Sequence, residues 1–172
     1  MSIDRLKDLP KETLIGMLED FAKNWLAHDG LWFQAVEKES DMATAIKLDT
    51  EAWDAFTRIE AKRIMVRHNI PINGGLEALK KALGFRLYAV LNEQVITDET
   101  DSSFVFKMVD CRVQSARTRK KLPLFPCKSV GIVEYTEFAR TIDPRIKTEC
   151  LACPPDPDER DYYCGWKFSI EE

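Results

Sequence analysis

The sequence predicts an α+β fold, and three observations carry the prediction. Apolar residues recur at helical spacing through roughly the first 85 residues, then at a period of two from Phe85 onward. All five cysteines (Cys111, Cys127, Cys150, Cys153 and Cys164) fall in the second part, and none in the first 110 residues. Long helical stretches that give way to short alternating ones predict a helical half, 1–85. A cysteine-bearing half, 86–172, follows as a mostly antiparallel sheet with one or two inserted helices. A length of 172 residues suits one domain, 1–172.

In order along the chain, Pro10 suits the start of a helix. Leu14, Leu18, Phe21 and Trp25 follow at spacings of four, three and four, a helix face expected to point inward. The same stripe reaches His28 and Trp32, with Gly30 expected to bend or divide the helix. A second helical stretch begins near Ala43 and strengthens over residues 50–68. Pro71 and the Asn73-Gly74-Gly75 run then supply a turn, and residues 76–83 a short helix. Residues 87–97 read as a strand, or as a helix running into one. A polar turn at 98–103 and the alternation of Phe104, Phe106 and Met108 complete a hairpin. Residues 127–140 read as a helix, and 145–153 and 162–170 as strands. The stiff acidic loop Pro154-Pro155-Asp156-Pro157-Asp158-Glu159-Arg160-Asp161 joins them.

Composition narrows the function classes. Apolar residues at 45% and aromatics at 10% are enough for a core and argue against disorder. A net charge of −4 argues against general nucleic-acid binding. No apolar run approaches a membrane span, and the N-terminus has no hydrophobic signal region. A cytoplasmic protein is expected, and there thiols stay reduced. Five cysteines in that compartment point to metal binding, redox sensing or catalysis. Free cysteine also packs as a small hydrophobe, so five unrelated buried thiols are the plain alternative.

Cys150 and Cys153 form a C-x2-C pair, with Cys111 and Cys127 before it and Cys164 after it. Two thiolates at that spacing can face one ion, and distant segments supply the remaining ligands. All five cysteines are therefore candidate metal ligands. Cys127 sits at a helix start, where the dipole favours thiolate. Residues three apart on a regular strand face opposite ways, so Cys150 and Cys153 meet only if the chain bends near Pro154. The spacings of 15, 22, 2 and 10 intervening residues match neither a zinc ribbon nor a ferredoxin pattern. Zinc ranks first, a reversible disulfide second and an iron–sulfur cluster third. A small-molecule ligand is an open partner class, and the oligomeric state is not legible.

Charged groups on apolar faces are the other candidates. His28, followed by Asp29, continues the first stripe and is expected to be buried, either as an acid–base group or as a core-edge histidine. Glu60 shares a helix face with Trp53, Phe56 and Ile64, with Arg63 three residues on. The two form either a surface pair or a charge presented to a ligand pocket. The basic stretch 112–121 reads as a solvated loop or short helix, or as a surface for an anionic partner.

Several short segments together resemble a known family. They are Trp25-Leu-Ala-His28-Asp29-Gly30-Leu-Trp32-Phe33, a strand ending in Cys111, a helix bearing Cys127, Asp143-Pro144-Arg145-Ile146, and Tyr163-Cys164-Gly165-Trp166-Lys167-Phe168. The pattern resembles a bacterial and archaeal family related to L-2-amino-thiazoline-4-carboxylate hydrolases and, more distantly, the 4-vinyl-reductase-type ligand-binding domain. The resemblance implies an α+β fold with a ligand site near Cys111, Cys127 and Cys164. Cys150, Cys153 and the Pro-rich loop are additions to that pattern, and they turn the expectation toward metal or redox chemistry. Two functions follow: a metal- or small-ligand-binding module with a cysteine cluster, or a hydrolase of a small C–N or C–S ring compound. In the hydrolase, Cys127 or Cys111 would be nucleophile or metal ligand and His28 the base.

Overall fold

The computed structural model describes residues 3–157 and 160–171, so Asp158 and Glu159 of the acidic loop lie outside the described residues. The fold is α+β. A short 3-10 turn (Ile3–Leu6) precedes two long antiparallel helices, α1 (Lys11–Glu39) and α2 (Met42–His68). Then come α3 (Gly75–Leu83), α4 (Leu87–Leu91), the hairpin β1 (Glu93–Thr97) and β2 (Ser103–Asp110), α5 (Arg112–Arg119) and α6 (Lys128–Ile142). The closing strands are β3 (Lys147–Ala152) and β4 (Cys164–Ser169). The sheet order is β1-β2-β4-β3, antiparallel throughout.

Local chemistry sets most of the boundaries. Asp41 caps α2, its Oδ1 accepting from the Thr44 N–H at 2.7 Å. Asn69 ends α2 in the left-handed conformation, with φ 51°. Gly74 is required at the following turn, because a Cβ there would come within 2.7 Å of Ala78 and 2.9 Å of Pro71. Asp143 ties that turn to the end of α6. Its carboxylate accepts from the Gly75 and Arg145 N–H groups and from the Arg145 side chain, which holds it down at about 2.

The core lies between α2, α6 and one face of the sheet. Phe104, Phe106, Met108, Trp166 and Phe168 on the sheet meet Val130, Tyr135, Phe138 and Ile142 of α6, all buried. Helix and sheet pack tightly at Gly131, where a Cβ would lie 2.7 Å from the Trp166 ring. Tyr135 stacks on the same indole at 4.7 Å.

Two expectations about the helices are corrected. Gly30 does not divide α1, which is continuous over 29 residues. Nor does the stripe through Leu14, Leu18, Phe21 and His28 face the core. Leu18, Phe21 and Trp32 are 65%, 64% and 68% exposed, and His28 is exposed with them. The covered face carries Ala22 and Leu26, with Phe33 half-buried. Trp25 lies between the two stripes and decides the contact, stacking on Phe56 at 5.2 Å and meeting Trp53 edge-on at 5.8 Å.

At the centre of the molecule lies an ion network. Arg86, 2% exposed, donates from Nε to Glu60 Oε2 at 2.9 Å. Its Nη2 pairs with Glu60 at 2.9 Å and with Glu134 at 2.6 Å. The Nη2 contacts are charge pairs that lack hydrogen-bond alignment, leaving Nη1 and Nη2 without an acceptor. Trp53, Tyr88, Tyr135 and Phe138 surround the guanidinium, with ring centroids 4.6–5.9 Å away. Glu60 is therefore an inward residue whose partner is Arg86, while Arg63 is exposed. Replacing Arg86 with Met would strand two buried carboxylates and should cost about 3–5 kcal/mol in urea unfolding. The triple change Arg86→Met, Glu60→Gln and Glu134→Gln should cost less than the single one.

Candidate functional site

A cavity of about 450 Å³ opens between α1, α2, α5, α6 and the β2–β4 end of the sheet. Leu26 and Phe33 of α1, Trp53 of α2, Met108 of β2 and Val130 of α6 give it apolar walls. Cys111, Cys127, Cys153 and Cys164 line it, and so do Asp29, Asp49 and Glu134.

The thiols reach this place from four elements. Cys111 directly follows β2, Cys127 directly precedes α6, and Cys164 begins β4 opposite Met108. Cys150 and Cys153 come from the end of β3. There the pairing with β4 shifts register between Cys150 and Ala152, a bulge that leaves Leu151 exposed. The extra residue reverses the strand's alternation, so both cysteines turn to the same side. This bulge at Leu151, three residues before the expected bend at Pro154, solves the facing problem.

The loop after Cys153 is clamped to α6. Asp156 accepts from the Cys153 N–H at 3.1 Å and from Lys128 Nζ at 2.9 Å. Gln114 braces the other approach, its side-chain amide exchanging bonds with the Phe125 backbone at 2.8 and 2.9 Å. Gln114 Nε2 also reaches Cys127 Sγ at 3.5 Å. Arg117, within the basic stretch, is a structural anchor and not a solvated cation. Buried, it binds the Pro123 carbonyl at 2.7 Å and grips Glu37 of α1 at 2.9 and 3.1 Å.

Cys153 is the hub of the cluster. Its sulfur lies 3.5 Å from that of Cys127. Hydrogen bonding to Cys127, Cys150 and Cys164, with burial added, holds its thiol protonated. Cys150 is the opposite case: the bond from Cys153 and the charge of Lys128 pull its pKa below the ordinary thiol value, against burial. Burial pushes the Cys111 thiol up to about 12. Among the described residues, no group of three or more His, Cys, Asp and Glu side chains is arranged to hold a metal ion. His28 does not line the cavity, although Asp29 beside it does.

The carboxylates are residues that sequence reasoning missed as site groups. Burial first, then the charges of Asp29 and Glu134, push Asp49 up to about 7, although Trp53 bonds its side chain. Burial raises Asp29 as well, against the pull of His28. Glu134 is raised by burial despite Arg86. The signal was faint, since Asp49 lies four residues before Trp53 on an inward face with nothing to separate it from surface acids.

Fold and site together define an α+β domain built around an apolar pocket with a thiol wall. The chain belongs to the DUF6125 family, a family of unknown function, which matches residues 7–170. No curated protein matches it in sequence. Among solved structures, it is similar to a trafficking protein particle complex subunit 3 from Naegleria fowleri covalently bound to palmitic acid. The match has a TM-score of 0.52 and 10% identity, covering 90% of this chain and 95% of that one. At that identity the likeness concerns the fold alone. No helix among the described residues is long and apolar enough to cross a membrane.

Two outcomes follow from the titrating groups. Alkylation of the reduced protein near neutral pH, mapped by mass spectrometry, should modify Cys150 first and Cys153 last, and Lys128→Met should slow the reaction at Cys150. Asp49 binds its proton more tightly folded than unfolded, so between its ordinary 3.8 and about 7 the native state holds the extra proton. Its contribution to stability should therefore fall as pH rises through that window and level off above it. Asp49→Asn should flatten that part of a melting-temperature profile.

Proposed function

We propose that this chain is a cytoplasmic small-ligand-binding module, its ligand held in the pocket against the thiol cluster. The observation that carries the reading is the cavity itself: about 450 Å³, apolar-walled, with polar groups only at defined points. Sites for small molecules have this character. The similar trafficking subunit is covalently bound to palmitic acid, which accords with a fold able to carry an apolar ligand. The resemblance to the 4-vinyl-reductase-type ligand-binding domain points the same way. A cytoplasmic setting accords with five free thiols.

Zinc binding is the second reading, favoured by the close approach of the Cys127 and Cys153 sulfurs. The 3.5 Å separation of Cys127 and Cys153 is close to the roughly 3.8 Å edge of a tetrahedron with ~2.3 Å zinc–sulfur bonds. Uptake requires the thiols to lose their protons and turn toward a common centre. An iron–sulfur cluster asks for the same four thiolates and ranks below zinc. The same 3.5 Å contact would also serve a reversible disulfide. The hydrolase alternative needs a base beside Cys127, and the pocket's own candidates are Asp49 and Glu134.

The two readings separate in solution. A saturable rise in melting temperature with a medium-chain alcohol, lost in Ala27→Trp at the pocket mouth, supports the pocket. No shift with any apolar ligand removes it. Zinc added to anaerobically reduced protein should bind at one per chain, release protons and bind less as pH falls. Cys153→Ser and Cys164→Ser should each abolish that uptake. Wild-type protein that stays metal-free after such loading rules zinc out.

A further inference from the structure

One buried donor of the cavity has nothing to bond. Trp166 is 1% exposed and lines the pocket, and its Nε1–H has no acceptor among the described residues. Tyr135 stacks on the ring at 4.7 Å, and Gly131 meets the edge that carries the nitrogen. Nε1 is bonded to the ring carbon Cε2, which would lie 3.9 Å from a Cβ at Gly131. Gly131 lines the cavity too, so the donor sits on the α6 side of the ring, where the helix supplies a glycine and hence no side-chain acceptor. A buried donor left unmet costs free energy that an entering acceptor restores.

Trp166 differs in this from the buried nitrogen side chains around it. The pocket's other indole, Trp53, bonds the Asp49 carboxyl. Gln114 gives its amide to the Phe125 carbonyl and the Cys127 sulfur. Arg117 holds Glu37 with two nitrogens and the Pro123 carbonyl with the third. Arg86 is shared by Glu60 and Glu134. Neither buried guanidinium is left to balance an entering anion, and Asp29, Asp49 and Glu134 line the same space and oppose one. The remaining cations of the lining, Lys23, Arg112, Arg119 and Lys120, are exposed, where water screens them. A carbonyl supplies an acceptor without a charge and, unlike a hydroxyl, adds no donor that needs a partner of its own.

We propose that the pocket selects a neutral apolar molecule bearing a carbonyl group, its oxygen accepting from the Trp166 Nε1–H. Leu26, Phe33, Trp53 and Val130 provide the wall for the apolar remainder. The inference rests on the pocket being a ligand site, and it specifies the group by which the ligand is oriented.

The test uses three molecules of one shape. They are acetophenone, α-methylstyrene, in which a methylene replaces the carbonyl oxygen, and benzoate, in which an anionic oxygen replaces the methyl group. Binding is measured by calorimetric titration at neutral pH. Trp166→Phe removes the N–H and should weaken acetophenone about tenfold relative to α-methylstyrene, the scale of one neutral hydrogen bond. Benzoate should bind more weakly than acetophenone. In the wild-type protein, the indole Nε1–H proton resonance of Trp166 should move downfield with acetophenone and not with α-methylstyrene, a readout that stands if the variant folds poorly. An unmoved resonance at saturating acetophenone, an equal loss for both neutral ligands, or benzoate binding as well as the ketone overturns the carbonyl assignment and leaves the pocket standing. A medium-chain alcohol that binds where acetophenone does not has the same meaning. If neither the alcohol nor any of the three binds, the pocket reading fails and the assignment with it.

Discussion

The placement of one guanidinium organises this molecule. Arg86 lies between α3 and α4, and its partners arrive from elsewhere: Glu60 from α2 and Glu134 from α6. A charge so deep is tolerated only when its counterions are in place, so the three segments can assemble in one relative position. The four rings packed about it extend the constraint outward. Trp53 and Tyr88 stack at 5.9 Å, while Tyr135 carries the contact on to Trp166 and the sheet. The helical half and the sheet half are thereby joined through a polar centre wrapped in aromatic surface.

That centre also explains why a cavity survives beside a well-packed core. Glu134 faces Arg86 and lines the cavity, so the floor of the pocket is fixed by the ion network. Close backbone packing fixes a further part of the lining: Gly131 lets Trp166 lie against α6, and the Asp156 clamp holds Cys153 where α6 begins. Side chains locked in this way cannot collapse into the space beside them. The thiols inherit this rigidity. Their unequal acidity comes from position, with Cys153 enclosed by sulfur and Cys150 nearer Lys128 and solvent.

Much of the fold was legible because it is local. The β1–β2 hairpin follows from alternation about a polar turn, and α2 from its periodicity. The crowding of cysteines into one half anticipated a common location. What was not legible depends on distant partners. Helix α1 carries two apolar stripes a fraction of a turn apart, and periodicity cannot say which one α2 will cover. The Leu18–Phe21 stripe is the stronger in sequence and the Ala22–Leu26 stripe the one buried, since small residues let α2 approach with Trp53 and Phe56. The β3 bulge has no signature beyond the prolines that follow it. Glu60 finds its cation 26 positions away, and Asp49 becomes unusual only because α1 and α6 bring carboxylates to it.

The four tryptophans divide by position in a way that makes the protein its own optical probe. Trp32 stands on the open side of α1 and Trp25 is half-covered, whereas Trp53 and Trp166 are buried at different walls of the pocket. A water-borne collisional quencher reaches Trp32 and leaves the two interior indoles emitting. The surviving fluorescence then comes from the chamber where the thiols and carboxylates meet, and it registers a change of contents there without any label.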